Sequence, residues 1–370
     1  MNSKAHTPLI QVSKREALPW QKSWLIRGIA IVAALIVCAL ITTMLTGENP
    51  LQVYGSMVSG AFGTGRRIWQ LLRNVAILLT ISLAVTPAFK MRFWNVGAEG
   101  QVMAGALACT VTMLYLGDKL PNALLILVML LASVAAGALW AFIPAFFKAK
   151  WNTNETLFTL MMNYIATQLI AFFIVWKYPN GTGTMGIVNQ DTRAGWLPRL
   201  GGNEFLLIIL VSVVITAVMY VYLNYTKHGY ELSVVGESER TARYVGIKVG
   251  KVVLRTLILS GAVCGIVGFL LVAGVHHSIS TNIAGGQGFT AVMVSWLAHF
   301  NPIMMVFSSF LLCFLGQGAD QISTDLGLDH AFGDILTGVI LFFIIGSEFF
   351  INYKIKFRSG EDRKGEIENA

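Results

Sequence analysis

Ile29-Ala30-Ile31-Val32-Ala33-Ala34-Leu35-Ile36-Val37-Cys38-Ala39-Leu40-Ile41 is the centre of an unbroken apolar run from Trp24 to Thr46. About 20 apolar residues in a helix cross the hydrocarbon core of a bilayer, and this run is long enough. It follows a polar stretch holding Lys4, Lys14, Arg15 and Lys22. A cleaved signal peptide has a shorter apolar core and a small-residue cleavage site. Thr42-Thr43-Met44-Leu45-Thr46 offers none, so the run is expected to be a retained helix.

The rest of the chain repeats the pattern. Of 370 residues, 55% are hydrophobic and 12% charged, and the mean hydropathy is +0.66. A soluble domain carries roughly a quarter charged residues, so a disordered chain, a disulfide scaffold and almost any soluble enzyme are excluded. Further apolar runs lie near 71–89, 102–116, 122–147, 156–176, 204–224, 252–275, 289–300, 302–316 and 335–351. The expected fold is an all-α polytopic membrane protein with about ten transmembrane helices. The runs at 102–116, 289–300 and 302–316 are short. Short spans suggest broken or re-entrant helices, which persist only where protein or a wet cavity covers their backbone. Ten full spans and eight spans plus two re-entrant pieces both fit.

The net charge of +8 has a location. Lys and Arg favour the cytoplasmic side. With the N-terminus inside, 18 of the 27 Lys and Arg fall in inside segments and 6 in outside ones. This predicts cytoplasmic N- and C-termini and gives no reason to expect nucleic acid as a partner. The organisation read from these runs is a cytoplasmic segment 1–23, a transmembrane domain 24–351 with a long inside loop 225–251, and a flexible tail 352–370. Cys38, Cys109, Cys264 and Cys313 lie in apolar runs without metal-ligand spacing and read as packing residues. The stretch 317–334, with Asp320, Asp325, Asp329 and Asp334, reads as a solvated acidic loop. His276-His277 reads as two loop histidines, and no metal site is expected.

Four segments depart from inert apolar filler. The first is Phe93-Trp94-Asn95-Val96-Gly97-Ala98-Glu99-Gly100-Gln101. An acidic residue at membrane depth is costly and marks function by default. Glu99 is therefore a pathway candidate, or a cap for a helix start at the inner interface. The second, Asn282-Ile283-Ala284-Gly285-Gly286-Gln287-Gly288-Phe289-Thr290, resembles the first in its Asn-Val/Ile opening, glycines and Gln. The two open spans of opposite direction. That is the pattern of an inverted repeat whose interrupted helices meet near the midplane, although the match is short enough for chance. In the third, Asn163 and Thr167 share a helix face and either line a pathway or join helices. Gly261-x-x-x-Gly265 nearby signals close helix packing. The fourth is the inside loop, where Glu237–Tyr244 suits a short helix ended by Gly246. It reads as a docking element for a soluble partner or as a solvated loop. No G-x-x-x-x-G-K-S/T phosphate loop occurs, and no motif of intramembrane hydrolysis.

Together the four segments resemble the membrane permeases of bacterial ABC importers for simple sugars and nucleosides, in the branched-chain amino-acid/ribose permease superfamily. The nucleoside-branch phrase F-N-I-G-A-E-G-Q is met by Phe93 and Asn95–Gln101, with Trp94 as an insertion. N-E-x-x-x-T-x-M-x-N-Y-I-A is met by Asn154-Glu155, Thr159, Met161 and Asn163–Ala166. G-E-N/S-x-x-A-A-x-Y-A/S-G-I is met by Gly236-Glu237-Ser238, Ala242, Tyr244 and Gly246-Ile247, with Thr241 and Val245 replacing the usual small residues. G-G-x-G-F-T-x-I/V is met by Gly285–Val292. The matches run from 93 to 292.

The resemblance implies a type II importer fold in a bacterial cell membrane and the role of permease subunit in ATP-driven nucleoside import. It implies a second permease subunit, a cytoplasmic ATPase carrying ATP and Mg, and an external binding lipoprotein; this chain would bind no cofactor and catalyse nothing. Coupling to the ATPase would fall to Gly236, Glu237, Arg240, Thr241, Ala242, Gly246 and Ile247. The expected pathway residues are Asn95, Glu99, Gln101, Asn163 and Gln287. A simple-sugar permease, or a self-sufficient secondary transporter or channel with Glu99 as its proton-coupling group, remains as an alternative.

Overall fold

The computed structural model describes residues 10–15, 19–178, 185–327 and 329–357. The chain divides into two compact units, one formed by Met1–Gly63 with Leu315–Ala370 and one by Thr64–Phe314.

In the first unit, α1 (Trp20–Thr46) packs along α13 (His330–Asn352). Arg27 and Glu348 close a 2.7 Å ion pair between them. β1 (Ile10–Lys14) and β2 (Tyr353–Phe357) pair antiparallel, Ile10 opposite Phe357 and Lys14 opposite Tyr353. The two chain ends therefore lie at the same end of the α1–α13 pair, as an even number of crossings requires. The expected flexible tail is thus ordered through Phe357; residues 358–370 lie outside the described residues. A short helix α2 (Pro50–Phe62), capped by Asn49, fills the loop after α1.

The acidic loop expected at 317–334 is not a loop. α12 runs from Pro302 to Leu326, carrying Asp320 and Asp325 on its last turns, and Asp329 caps α13. Four carboxylates spaced over 14 residues looked like solvated chain. Asp320, Asp325 and Asp329 instead lie at helix ends, and residue 334 falls in the second turn of α13.

The second unit holds α3 (Gly65–Lys90), α4 (Ala98–Leu116), α5 (Asn122–Trp151), α6 (Glu155–Lys177), α7 (Leu206–Tyr225), α8 (Lys227–Glu237), α9 (Glu239–Tyr244), α10 (Val249–Leu270) and α11 (Gln287–Leu297). A π-helical turn, Leu271–His276, extends α10. Among the described residues eight helices are long and apolar enough to span a membrane: α1, α3, α5, α6, α7, α10 with its extension, α12 and α13. α4 and α11 are not among them. The ten apolar runs therefore resolve into eight spans and two shorter helices.

α3 and α10 form the centre of this unit, buried along most of their length, while α5 and α7 turn broad apolar faces outward. The tightest packing joins α4, α5 and α10 through small residues. A Cβ on Gly265 would stand 2.9 Å from the Ser133 carbonyl carbon, and one on Gly105 would stand 2.7 Å from Gly265 Cα. The Gly261-x-x-x-Gly265 signal thus reports a three-helix contact. Close backbone approach replaces the hydrophobic drive that lipid cannot supply.

The inside loop folds into two helices rather than one. Ser238 takes an extended conformation (φ −159°, ψ 117°) and breaks the chain, ending α8 after Glu237 and capping α9 by accepting from Thr241 N at 3.2 Å. Serine competes well for that role because its hydroxyl satisfies an orphan N–H. Glu237 therefore closes a helix instead of opening one, and Gly246 (φ 85°) ends the pair.

Candidate functional site: a polar knot between two broken helices

α4 opens in the middle of the unit. The Gly100 N–H donates to Asn163 Oδ1 at 2.9 Å, and Asn163 lies eight residues into α6. At 1.5 Å per residue this is about 12 Å along the helix. Asn95 Nδ2 donates to Ser260 Oγ at 3.1 Å. Ser260 is eleven residues into α10, about 16 Å along it. The loop after α3 therefore climbs to mid-depth before α4 begins.

α11 starts at the same place. The Gly286 and Gly288 N–H groups donate to Glu99 Oε1 and Oε2 at 2.8 and 2.7 Å. From there α11 runs back toward the end of α3. Ser295 Oγ donates to the Ser82 carbonyl at 3.0 Å, and Trp296 stacks on Trp94 with ring centroids 5.4 Å apart. α4 leaves in the other direction, its last turn tied to the loop before α7 by Asn189 Nδ2, which donates to Met113 O at 3.1 Å. Two broken helices thus begin together and diverge, as the paired Asn-Val/Ile phrases suggested.

Glu99 reconciles its charge with this depth through position. It sits in the first turn of α4, and its carboxylate faces the start of α11. The N-terminus of α11, with N–H groups that lack helical partners and a partial positive charge, meets this carboxylate, while the N–H groups of Gly97 and Gly100 at the start of α4 go to Asn95 and Asn163. Charge-assisted bonds to backbone N–H groups are the strong kind. The expected cap is real, but it caps the other half of the molecule, and it does so at mid-depth rather than at the inner interface. Gly288 must be glycine: a Cβ would stand 2.7 Å from both Glu99 Cα and Oε2.

The other expected site residues close around it. Asn95 Oδ1 accepts from the Gly97 N–H at 3.1 Å and from Gln101 Nε2 at 3.2 Å, while Ser260 Oγ lies 3.5 Å from Gln101 Oε1. Asn163 Nδ2 donates to the Val96 carbonyl at 3.0 Å, and Thr159 Oγ1 accepts from the Val96 N–H at 3.3 Å. Asn95, Glu99, Gln101 and Asn163 are all buried. Asn95, Gln101 and Asn163 spend polar atoms on fixing the 95–101 loop, and Glu99 spends both its oxygens on the start of α11. Gln287 differs: it is half-buried, and its Oε1 has no protein partner. Thr159 enters the sequence reading only as a position of the N-E-x-x-x-T phrase, and Ser260 is missing from it, because one small hydroxyl in an apolar run looks like ordinary helix glue. The adjacent Gly261-x-x-x-Gly265 was the available signal for Ser260.

What faces outward near the knot is apolar. Phe289, Met293 and Trp296 form an exposed ridge on α11, with Trp94 beside Trp296. A cavity of about 420 Å³ at the foot of this ridge is lined by Phe89, Lys90, Trp94, Glu237, Trp296 and Phe300.

The coupling candidates lie on α8, α9 and the turn after them. Glu237, Arg240, Thr241 and Gly246 are exposed, Ile247 is half-buried, and Gly236 and Ala242 are buried. Leu232, Val235 and Ala242 join a core with Ala88, Met91 and Leu257. Gly236 presses on the root of the 91–97 loop: a Cβ there would stand 3.2 Å from the Lys90 carbonyl carbon and 3.3 Å from Met91 Cα. The segment is a rigid handle, with one face in the core and Tyr244, 93% exposed, at its tip.

His277 stacks on Trp196 (centroids 3.8 Å apart, planes 4° apart), and its carbonyl accepts from the Val188 N–H at 2.8 Å. Burial holds its imidazole below the ordinary 6.5; His276 and Arg199 lower it further, while Glu204 acts the other way. Among the described residues no group of three or more His, Cys, Asp or Glu is placed to hold a metal.

Eight helices long and apolar enough to span a membrane among the described residues, with two shorter helices that begin together inside the second unit, define a polytopic membrane protein. Comparison with known proteins makes this specific. Residues 67–345 match the family model described as the branched-chain amino acid transport system / permease component, and the chain belongs to that family. It is 29% identical to a glucose ABC transporter permease protein of Haloferax volcanii over 96% of this chain and 95% of that one. It is 28% identical to a guanosine ABC transporter permease protein of Bacillus subtilis, covering 91% and 95%. It is 27% identical to a nucleoside ABC transporter permease protein of Lactococcus lactis, covering 85% and 89%.

Proposed function

We propose that this chain is the membrane-spanning subunit of an ATP-driven nucleoside importer with a type II fold, working by alternating access. One observation carries the mechanism: α8 and α9 are anchored in the core by Leu232, Val235 and Ala242, yet present Glu237, Arg240 and Thr241 to solvent. A separate ATPase holding ATP and Mg grips that face. A push on it reaches Lys90 and Met91 through Gly236, then the 95–101 loop, then the N-terminus of α11 through Glu99. Rigid packing carries displacement because packed cores shift between discrete arrangements.

The passage follows the exposed ridge of α11, completed by a second permease subunit. Asn95, Glu99, Gln101 and Asn163 hold its wall, and Gln287, next to Phe289 in the chain, carries a buried amide oxygen without a protein partner. An external binding lipoprotein supplies selectivity. The excess of Lys and Arg in segment 225–251, like that in 1–23 and 352–370, supports a cytoplasmic side for these segments in a bacterial cell. The nucleoside assignment follows the guanosine and nucleoside permeases among the relatives. The glucose permease at 29% identity supports a simple-sugar reading.

The test is coupled uptake in proteoliposomes with the partner chains. The E237A/R240A double variant is expected to fold but to release the ATPase, or to hydrolyse ATP without uptake. Normal coupled uptake by the double variant refutes the coupling assignment. Uptake by this chain alone, driven by a proton gradient, refutes the ABC reading. Competition by nucleosides but not by simple sugars separates the two substrate classes.

A further inference from the structure

The α5–α10 end of the second unit holds a cavity of about 680 Å³ that shares only Gly246 and Ile247 with the coupling segment. Four of its lining residues are basic: Lys150 from α5, Arg243 from α9, and Lys248 and Lys251 at the start of α10. No carboxylate lines it. Arg243 reaches Glu239 Oε2 at 3.5 Å in an exposed pair, and neighbouring Lys148 is held by Glu155 at 2.8 Å. Among the described residues no acidic group pairs with Lys150, Lys248 or Lys251. Four cations facing one cavity repel one another, and an anion relieves that.

The remaining lining gives the anion its chemistry. Leu139, Phe142, Ile143 and Phe146 form an exposed stripe on α5 at helical spacing, and Lys150 continues it by one turn. That stripe runs along a helix long and apolar enough to span a membrane. Phe146 and Leu254 carry its apolar character into the cavity. The Lys150 ammonium lies 4.7 Å from the Trp151 ring centroid and 5.7 Å from that of Phe146. An aromatic pair beneath a lysine at a helix end marks the headgroup level. The cavity is therefore basic at Arg243 and the start of α10 and apolar at Phe146 and Leu254, where it meets the α5 stripe. α10 also opens there without a side-chain cap, leaving its first N–H groups for an acceptor.

We infer that this cavity binds the headgroup of an anionic phospholipid, with the acyl chains lying along the α5 stripe. A soluble anion would not need the apolar side. An ATPase surface would sit on the exposed tip around Tyr244, on the aqueous side of the basic cluster.

The test uses the full chain in detergent, with lipids retained on it counted by native mass spectrometry. Phosphatidylglycerol is expected to be retained in preference to phosphatidylcholine. The K150Q/K248Q/K251Q variant is expected to lose that preference by about a hundredfold, the fold-change corresponding to roughly 1 kcal/mol per cation at a membrane surface. The K150R/K248R/K251R variant is expected to keep it. Each single Lys→Gln variant should lower retention by about fivefold, so the series stays informative if the triple variant does not fold. Equal retention of the two lipids by the parent chain overturns the inference, as does unchanged phosphatidylglycerol binding in the Gln variants. Displacement of the lipid by millimolar inorganic phosphate overturns it in favour of a free-anion site. Loss of ATPase co-purification with lipid binding unchanged assigns the cavity to the ATPase instead.

Discussion

Replacing Glu99 by Gln keeps the shape of the side chain and removes the charge. The parent carboxylate accepts two backbone N–H bonds, at 2.8 and 2.7 Å, from Gly286 and Gly288. An amide has one oxygen, so one of those N–H groups loses its acceptor and faces an NH2 group instead. The lost bond to a charged acceptor is worth about 1.5–3 kcal/mol, and the orphaned buried N–H costs roughly 1–3 kcal/mol more. The two figures overlap in what they count, so about 3 kcal/mol is the expected loss for Glu99→Gln, and more for Glu99→Ala, which abandons both amides. Glu99→Asp is one methylene too short to reach both and should fall between parent and Ala. The assay is thermal unfolding of the detergent-purified chain, followed by fluorescence-detected size exclusion. A drop of several degrees is expected for Gln, with Gln287→Ala near the parent because its oxygen holds nothing. If Glu99→Gln unfolds within a degree of the parent yet abolishes uptake, Glu99 acts on protons or substrate, and the brace is refuted.

Gly288→Ala should destabilise by about 1–3 kcal/mol, the range of core overpacking, since its Cβ meets Glu99. Gly338→Ala, which meets open space inside α13, should not destabilise and should raise stability in the same assay by up to about 1 kcal/mol of helix propensity. Ser260→Ala removes the Asn95 partner at 3.1 Å and should lower stability by about 1 kcal/mol, read in the same assay. Because burial lowers the pKa of His277 below 6.5, the unfolded chain binds the extra proton first, so stability falls as pH drops through 6.5 toward the lower folded value and is fully present above it. His277→Phe, which keeps a ring against Trp196, should flatten that part of the pH–stability curve.

The handle and the knot were read differently well from the sequence. Apolar periodicity alone located the spans, because a bilayer demands about 20 apolar residues wherever a helix crosses it. Helix ends were less legible. The stretch 317–334 read as loop since carboxylates were weighed by composition, while α12 and α13 continue under them. The break at Ser238 turned one expected helix into two, since a serine hydroxyl caps a new helix as readily as it decorates an old one.

The sequence by itself determined that this chain lives in a membrane, where its basic loops lie, and which few residues resist an apolar explanation. Asn95, Glu99, Gln101, Asn163 and Gln287 were all marked by polarity where polarity is costly. Only the tertiary structure decided what that polarity does. Glu99 and Gly288 are 189 residues apart in the chain, and no local pattern states that one carboxylate completes the other's helix. A buried charge is settled by what stands within hydrogen-bonding distance of it, and folding alone brings the N-terminus of α11 to the carboxylate at the start of α4.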